Sequence, residues 1–291
     1  MYILFNLVKR NVLIFLRDKA AVFFSFLSVI IIILLYILFL GKMQIDSLSD
    51  LLGNVEGSSW LVGSWIMAGI LIVSSITVPL GSLGEIINDR DNGKINDFYT
   101  SPINRNILAL SYLISSWIIA FMMVMINFIV GQLYILSTGG ELFSFFQALK
   151  VIFLFTLSIM SFSSFFFFIS LFMKSRNAFG LLGTLVGTFI GFLGGIYIPI
   201  GVLSKNVQNV MNVFPTAHVV TLMRRIYMDG AIAKVFSNAP IDAYNDYANA
   251  FGLNVYIGDY SFSSSDMLLS VISFGILFFI LSALKLSKSK L

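Results

Sequence analysis

The chain contains no cysteine, one histidine and five prolines among 291 residues, and only 11% of its residues are charged. Without cysteine there are no disulfides, no thiol nucleophile and no thiolate metal site. A single histidine, His218, cannot assemble a catalytic zinc centre, which needs three protein ligands. Soluble domains carry about 25% charged residues, so this scarcity of charge excludes an ordinary soluble protein. No G-x-x-x-x-G-K-[ST] loop is present to cradle phosphates; Gly93-Lys94 is followed by Ile95 with no glycine-rich lead. The chain therefore has no nucleotide motor of its own. Charge is also missing from the depths of its apolar runs, where ion-coupled carriers place ionisable groups; Lys150 lies close to the end of one run. Buried serines have no neighbouring base that would make one a nucleophile.

What fills the sequence is hydrophobic, at 58% of residues. A membrane span needs about 20 apolar residues. Six stretches qualify, at about 20–40, 60–83, 107–136, 146–173, 179–200 and 267–284. Their continuous rather than alternating hydrophobicity predicts helices and not a barrel. The expected fold is thus an all-α membrane protein with six transmembrane helices. Residues 1–19 precede the first span as an interfacial amphipathic helix. Its basic stripe holds Lys9, Arg10 and Arg17, and an apolar face carries Ile3, Leu4, Leu7, Val8, Val12, Phe15 and Leu16.

Lys and Arg placement sets the orientation. Lys9, Arg10, Arg17, Lys19, Arg90, Lys94, Arg105, Lys174, Arg176, Lys285, Lys288 and Lys290 fall on one side, and most acidic residues on the other. Both termini are expected in the cytoplasm, and topology accounts for the net charge of +4 without a nucleic-acid arm. Residues 41–59 read as a short acidic outer loop, and 201–266 as an extracellular region. Pro215 divides the first part of that region into two short helices on or dipping into the outer leaflet; residues 231–266 read as a solvent-facing cap. Trp60 and Trp65 read as interfacial anchors, and the phenylalanine run at 162–170 as lipid-facing or packing bulk.

The most informative stretch is the charged insert EIINDRDNGKINDFYTSPINR at 85–105. Residues 85–92 can extend the second span, Gly93 can end it in a left-handed turn, a short helix follows, and Pro102 resets the chain before the third span. The pattern Arg90-Asp91-x-Gly93, an apolar stretch, then Ser101-Pro102-Ile103-x-Arg105 is one of two local motifs. The other is the small-residue patch Gly191, Gly194 and Gly195 followed by Pro199, Asn212, Pro215 and Arg224.

In these motifs and in the order of its elements, the chain resembles the membrane subunit of type-2 ABC exporters over nearly its whole length. The resemblance implies a six-span ABC-2 type domain at 20–291 with a cytoplasmic coupling segment at 85–105. It also implies re-entrant outer helices between spans five and six. Glu85, Asp89, Arg90, Asp91, Gly93, Pro102 and Arg105 would dock on a cytoplasmic ABC ATPase, present in two copies and holding the ATP and magnesium. Pro199, Asn212, Pro215, His218 and Arg224 would belong to the outer gate. Ser74, Ser75, Thr77, Thr184 and Thr188 would line the path beside a second permease copy, identical or paralogous. The expected role is a non-catalytic permease in a bacterial plasma membrane, in contact with lipid, exporting an amphipathic or hydrophobic molecule such as a drug, pigment, toxin, lipid or peptide. The alternatives are a membrane immunity or scaffold protein without turnover and, less favoured, an ion-coupled carrier.

Overall fold

The computed structural model describes residues 2–36, 38, 41–53, 55–101 and 103–288. Helices α1 (Tyr2–Arg17), α2 (Lys19–Leu35) and α3 (Gly41–Leu52) lead into α4 (Ser58–Asp91). The short α5 (Lys94–Thr100) precedes α6 (Arg105–Ser137), α7 (Phe145–Ser170) and α8 (Arg176–Leu193). A 3-10 turn at Ile200–Val202, then α9 (Lys205–Val213), α10 (Pro215–Tyr227), α11 (Asp229–Val235) and α12 (Ile241–Ala250) form the region that the sequence predicts on the outer side. A two-residue hairpin, β1 (Tyr256–Ile257) against β2 (Tyr260–Ser261), leads into α13 (Ser264–Lys288).

Among the described residues five helices, α4, α6, α7, α8 and α13, are long and apolar enough to cross a membrane. The first expected span coincides with α2, whose 17 residues reach about 25 Å at 1.5 Å per residue. Part of that expected span, at 37, 39 and 40, lies outside the described residues. The expected outer loop at 41–59 is corrected: most of it is α3. Its spaced apolar residues Ile45 and Leu48 pack on the core, a helical periodicity hidden among the polar residues around them.

Helix α4 is the axis of the fold. Its apolar window is almost wholly buried, with α6 and α7 against it and α8, α10, α2 and α3 around the remainder. At 34 residues it is about 51 Å long. That exceeds the roughly 30 Å of hydrocarbon, so one end carries its charged turn beyond the apolar layer. Pro79 lies inside it, and Ser82 Oγ donates to the Pro79 carbonyl at 2.9 Å.

Local chemistry sets the other ends. Ser144 and Gln147 form a reciprocal capping box that starts α7, and Pro215 occupies the first turn of α10, where no backbone donor is needed. The phenylalanine run packs helix on helix: Phe165 lies 5.4 Å from Phe274 and 4.7 Å from Phe278, ring centre to ring centre. Beside it, a Cβ on Gly275 would stand 2.8 Å from Ser161 Cα, so α7 and α13 meet closely through a missing side chain. Gly275→Val should force these helices apart at about 1–3 kcal/mol. Thermal unfolding in detergent would show the lowered midpoint, and an unchanged midpoint would refute the close contact.

Two further expectations are corrected. Trp60 and Trp65 are buried rather than interfacial, because the outer helices fold over them. Residues 231–266 are more than a solvent-facing cap, since Tyr247, Ala248, Leu253 and Val255 enter the core. Gly191 makes room for the ring of Tyr197, which follows it in sequence.

Candidate functional site

The charged insert folds as a helical elbow. α4 runs to Asp91; the Asn92 and Gly93 amides return to the carbonyls of Asn88 and Arg90, at 3.0 and 3.1 Å. Gly93 takes φ 72°, the left-handed region that suits a residue without Cβ, and α5 begins at the next residue. Pro102 lies outside the described residues. Asn104 then caps α6, its side chain accepting from the Asn106 amide at 2.8 Å, with Arg105 exposed on the first turn.

The carboxylates of the elbow divide into two groups. Asp89 is 0% exposed. Arg10 of α1 grips it with both ends of the guanidinium, at 2.7 and 2.8 Å, and Tyr112 of α6 donates its hydroxyl at 2.6 Å. Arg10 also donates to Asn11 Oδ1 at 2.9 Å, lies over the Phe98 ring at 5.3 Å and stands 4.0 Å from Glu85. Bidentate guanidinium–carboxylate pairs are among the strongest and most directional hydrogen-bonded contacts. A single buried carboxylate thus fastens α1 and α6 to α4, with α5 closing over Arg10. Its placement corrects the picture of Arg10 on a water-facing stripe and of Asp89 on a docking surface: both point inward, while Lys9 and Arg17 remain exposed.

The outward side of the elbow has a different population. Asp91, Lys94, Asn96 and Asp97 are exposed in a row, above a buried Ile95 that anchors α5. Arg90 turns toward α7 and donates to the carbonyls of Ser170 and Met173 at 2.6 and 3.1 Å, satisfying acceptors that a helix end leaves open. Asp91 meets Arg176 at 3.7 Å, both about half exposed, a pair worth roughly 0–1 kcal/mol. The elbow is therefore stitched both to α1 and to the α7–α8 turn. Sequence reasoning missed Tyr112, Asn96 and Asp97. The tyrosine offers no signal within an apolar helix, whereas the acidic and amide residues of α5 lay inside the singled-out insert.

The expected path residues separate in the same way. Ser75 shares a 2.7 Å hydrogen bond with Ser158 of α7, and Ser74 accepts from Asn127 of α6 at 3.1 Å; all four are buried. Ser74 and Ser75 are thus interhelical fasteners, a correction to the path-lining expectation. Thr77 borders an open apolar groove of about 450 Å³ between α2, α4 and α8. Thr184 and Thr188 are exposed on α8 and donate to backbone carbonyls one turn back, at Gly180 and Thr184.

At the other end of α4, Asn212 Nδ2 donates to the Tyr256 carbonyl at 2.8 Å, and His218 Nε2 bonds the Asn212 carbonyl at 2.8 Å. Pro199 precedes the 3-10 turn. Arg224 is buried against Trp65, 4.4 Å from its ring centre, and donates to the Gly195 carbonyl at 2.7 Å. The structure thus brings Asn212, His218 and Arg224 into the packed base of the outer region.

Comparison with protein families matches residues 2–228 to the model described as ABC-2 type transporter. The match contains α1, the elbow, the first four long helices and α10, and ends before α11 and α13. Comparison with curated proteins found no match. The match spans most of a chain built from apolar helices, and the chain belongs to the ABC-2 type transporter family as a membrane permease component.

Proposed function

We propose that the chain is the transmembrane subunit of an exporter driven by a separate ABC ATPase, two permease copies working with two ATPase subunits. The observation that carries this reading is the elbow: an exposed polar crest set over a buried carboxylate that binds three helices together. A push on α5 reaches Arg10, Asp89 and Tyr112 with little slack, so α1, α4 and α6 move as one body. Asp91, Gly93, Lys94, Asn96, Asp97 and Arg105 then belong to the docking face, and Glu85, Asp89 and Arg90 to the frame that passes the motion on.

In this reading α2 is the first of six spans, α9 and α10 are the re-entrant outer helices, and both termini lie in the cytoplasm of a bacterial cell. The second permease copy seats on α8, the least buried of the long helices with α13. Among the described residues a Cβ on Gly180, Gly183 or Gly187 would meet nothing within 4 Å, so this face is notched and open. Thr77, Thr184 and Thr188 border the shared path, whose apolar walls suit an amphipathic or hydrophobic cargo.

Affinity purification of the tagged chain from mild detergent, with mass identification of what accompanies it, tests the reading. A nucleotide-binding subunit and ATP hydrolysis by the complex are expected. A complex without either would replace the exporter with a membrane scaffold that binds without turnover.

A further inference from the structure

The outer half of the protein buries a cation without an anion. Arg224 is 2% exposed. Its hydrogen bond to Gly195 and its contact with Trp65 leave Nε with no hydrogen-bond partner among the described residues. Among the described residues no aspartate or glutamate pairs with it. Burying a charge is expensive unless it is paired and hydrogen-bonded, and the same molecule meets that requirement at Asp89. The surroundings of Arg224 are donor-rich. Tyr247, also buried, has a hydroxyl with no partner among the described residues. The Tyr36 hydroxyl accepts from Gln44 at 2.8 Å, which leaves its own proton uncommitted. Tyr36 and Arg224 both pack on Trp65, 6.1 and 4.4 Å from its ring centre, and Tyr247 joins them through Phe251, whose ring meets Trp65 edge-on at 5.7 Å.

Backbone and rings complete the enclosure. Gly195 and Gly252 flank the guanidinium in left-handed conformations, with φ of 60° and 70°. A Cβ on Gly252 would stand 2.7 Å from Nη1. Trp65 donates to the Phe251 carbonyl at 2.7 Å, and Tyr247 stacks on Phe251 at 4.3 Å. The segment following α12 thus lies across the cluster. It is tied down by Thr221, which donates to the Gly252 carbonyl at 3.0 Å, and by Arg225, which donates to the Leu253 carbonyl at 2.8 Å.

We infer that Arg224, Tyr36 and Tyr247 form an occluded anion site that takes the carboxylate or phosphate head of an amphiphile when the segment after α12 lifts. The three donors supply charge-assisted hydrogen bonds, and Trp65 and Phe251 give the adjoining chain an apolar wall. The inference rests on the export reading and adds to it that the cargo carries a negative head. A bilayer lipid has the same head chemistry, so the test separates the two sources.

The test uses the full chain with Trp60→Phe and Trp117→Phe in phosphatidylcholine nanodiscs, where the emission of Trp65 reports on Arg224. Dodecyl phosphate should shift that emission saturably, and dodecyltrimethylammonium should not. Arg224→Gln should weaken the response about tenfold or more and Tyr247→Phe about threefold, since each tenfold is about 1.4 kcal/mol. Arg224→Lys, which keeps the charge and loses the planar fork, should fall between parent and Arg224→Gln. A shift already present in discs containing phosphatidylglycerol assigns the site to a lipid head; a shift only on adding dodecyl phosphate assigns it to cargo. The inference is overturned by a flat titration, by equal responses to both amphiphiles, or by folded Arg224→Gln binding as the parent does. Should Arg224→Gln fail to fold, an unchanged affinity in Tyr247→Phe overturns it. Binding is read without the ATPase, so failure here leaves the export reading standing, and loss of ATPase coupling leaves this binding intact.

Discussion

Asp89→Ala should lower the thermal unfolding midpoint of the purified protein by roughly 5–10 °C and abolish ATP-driven transport in proteoliposomes. The substitution removes the carboxylate that Arg10 binds on two prongs and leaves the buried Tyr112 hydroxyl without its acceptor. Breaking a fully buried pair costs about 3–5 kcal/mol. The Arg10 side chain is 27% exposed, so water reaches the stranded guanidinium and about 2–3 kcal/mol is the better figure. For a chain of this size each kcal/mol moves the midpoint by about 2–4 °C. A double replacement, Arg10→Met with Asp89→Leu, separates stability from transmission. Apolar substitution of a buried pair is often neutral or stabilising, so the midpoint should recover in part, short of the cost of the Tyr112 hydroxyl left without its acceptor, while transport stays low. A doubly substituted protein that transports normally would show that the pair holds the fold and transmits nothing.

The second large effect is expected at Gly93. Among the described residues nothing crowds the position: the nearest atom to a Cβ would be Asn96 Nδ2 at 4.0 Å. The constraint is therefore purely one of backbone, φ 72°, which costs an L-residue about 1–2 kcal/mol and a β-branched one more. Gly93→Val should relieve that strain by swinging α5 away from the end of α4. Expression should stay near the parent level, while cargo-stimulated ATP hydrolysis falls severalfold or more. Gly93→Asn, which tolerates this conformation, should retain most activity. Equal coupling in the Val and Asn variants would sink the elbow as a transmitter, because they differ in how readily they hold the turn.

Gly93 also illustrates what the sequence reveals. A charged helix end, a glycine and a new short helix follow from local chain physics, and the structure places them so. Long apolar runs likewise announce α4, α6, α7, α8 and α13, because burial in lipid leaves an unmistakable composition. α3 escaped notice because its apolar residues are few and lie among serines and aspartates. Asp89 and Asp91 are chemically identical and two positions apart, yet one is sealed and the other exposed. Which one faces inward depends on Arg10 and Tyr112, remote in sequence. Ser74 and Ser75 looked available for a path for the same reason: polarity within a span does not reveal which neighbour receives it. Trp65 was misplaced because the outer helices that cover it come well over a hundred residues later, as its hydrogen bond to Phe251 shows.

The three-way grip on Asp89 also imposes an order on biosynthesis. Arg10 emerges from the ribosome 79 residues ahead of its carboxylate, and that carboxylate 23 residues ahead of Tyr112. Domains fold broadly from the N-terminal side as they are made, yet the first helix of this chain cannot be locked when it appears. Its grip is complete only once α6 has been made, so α1 is secured by partners synthesised well after it. A lesion at Tyr112 would consequently surface as a loose first helix, far upstream of the altered codon.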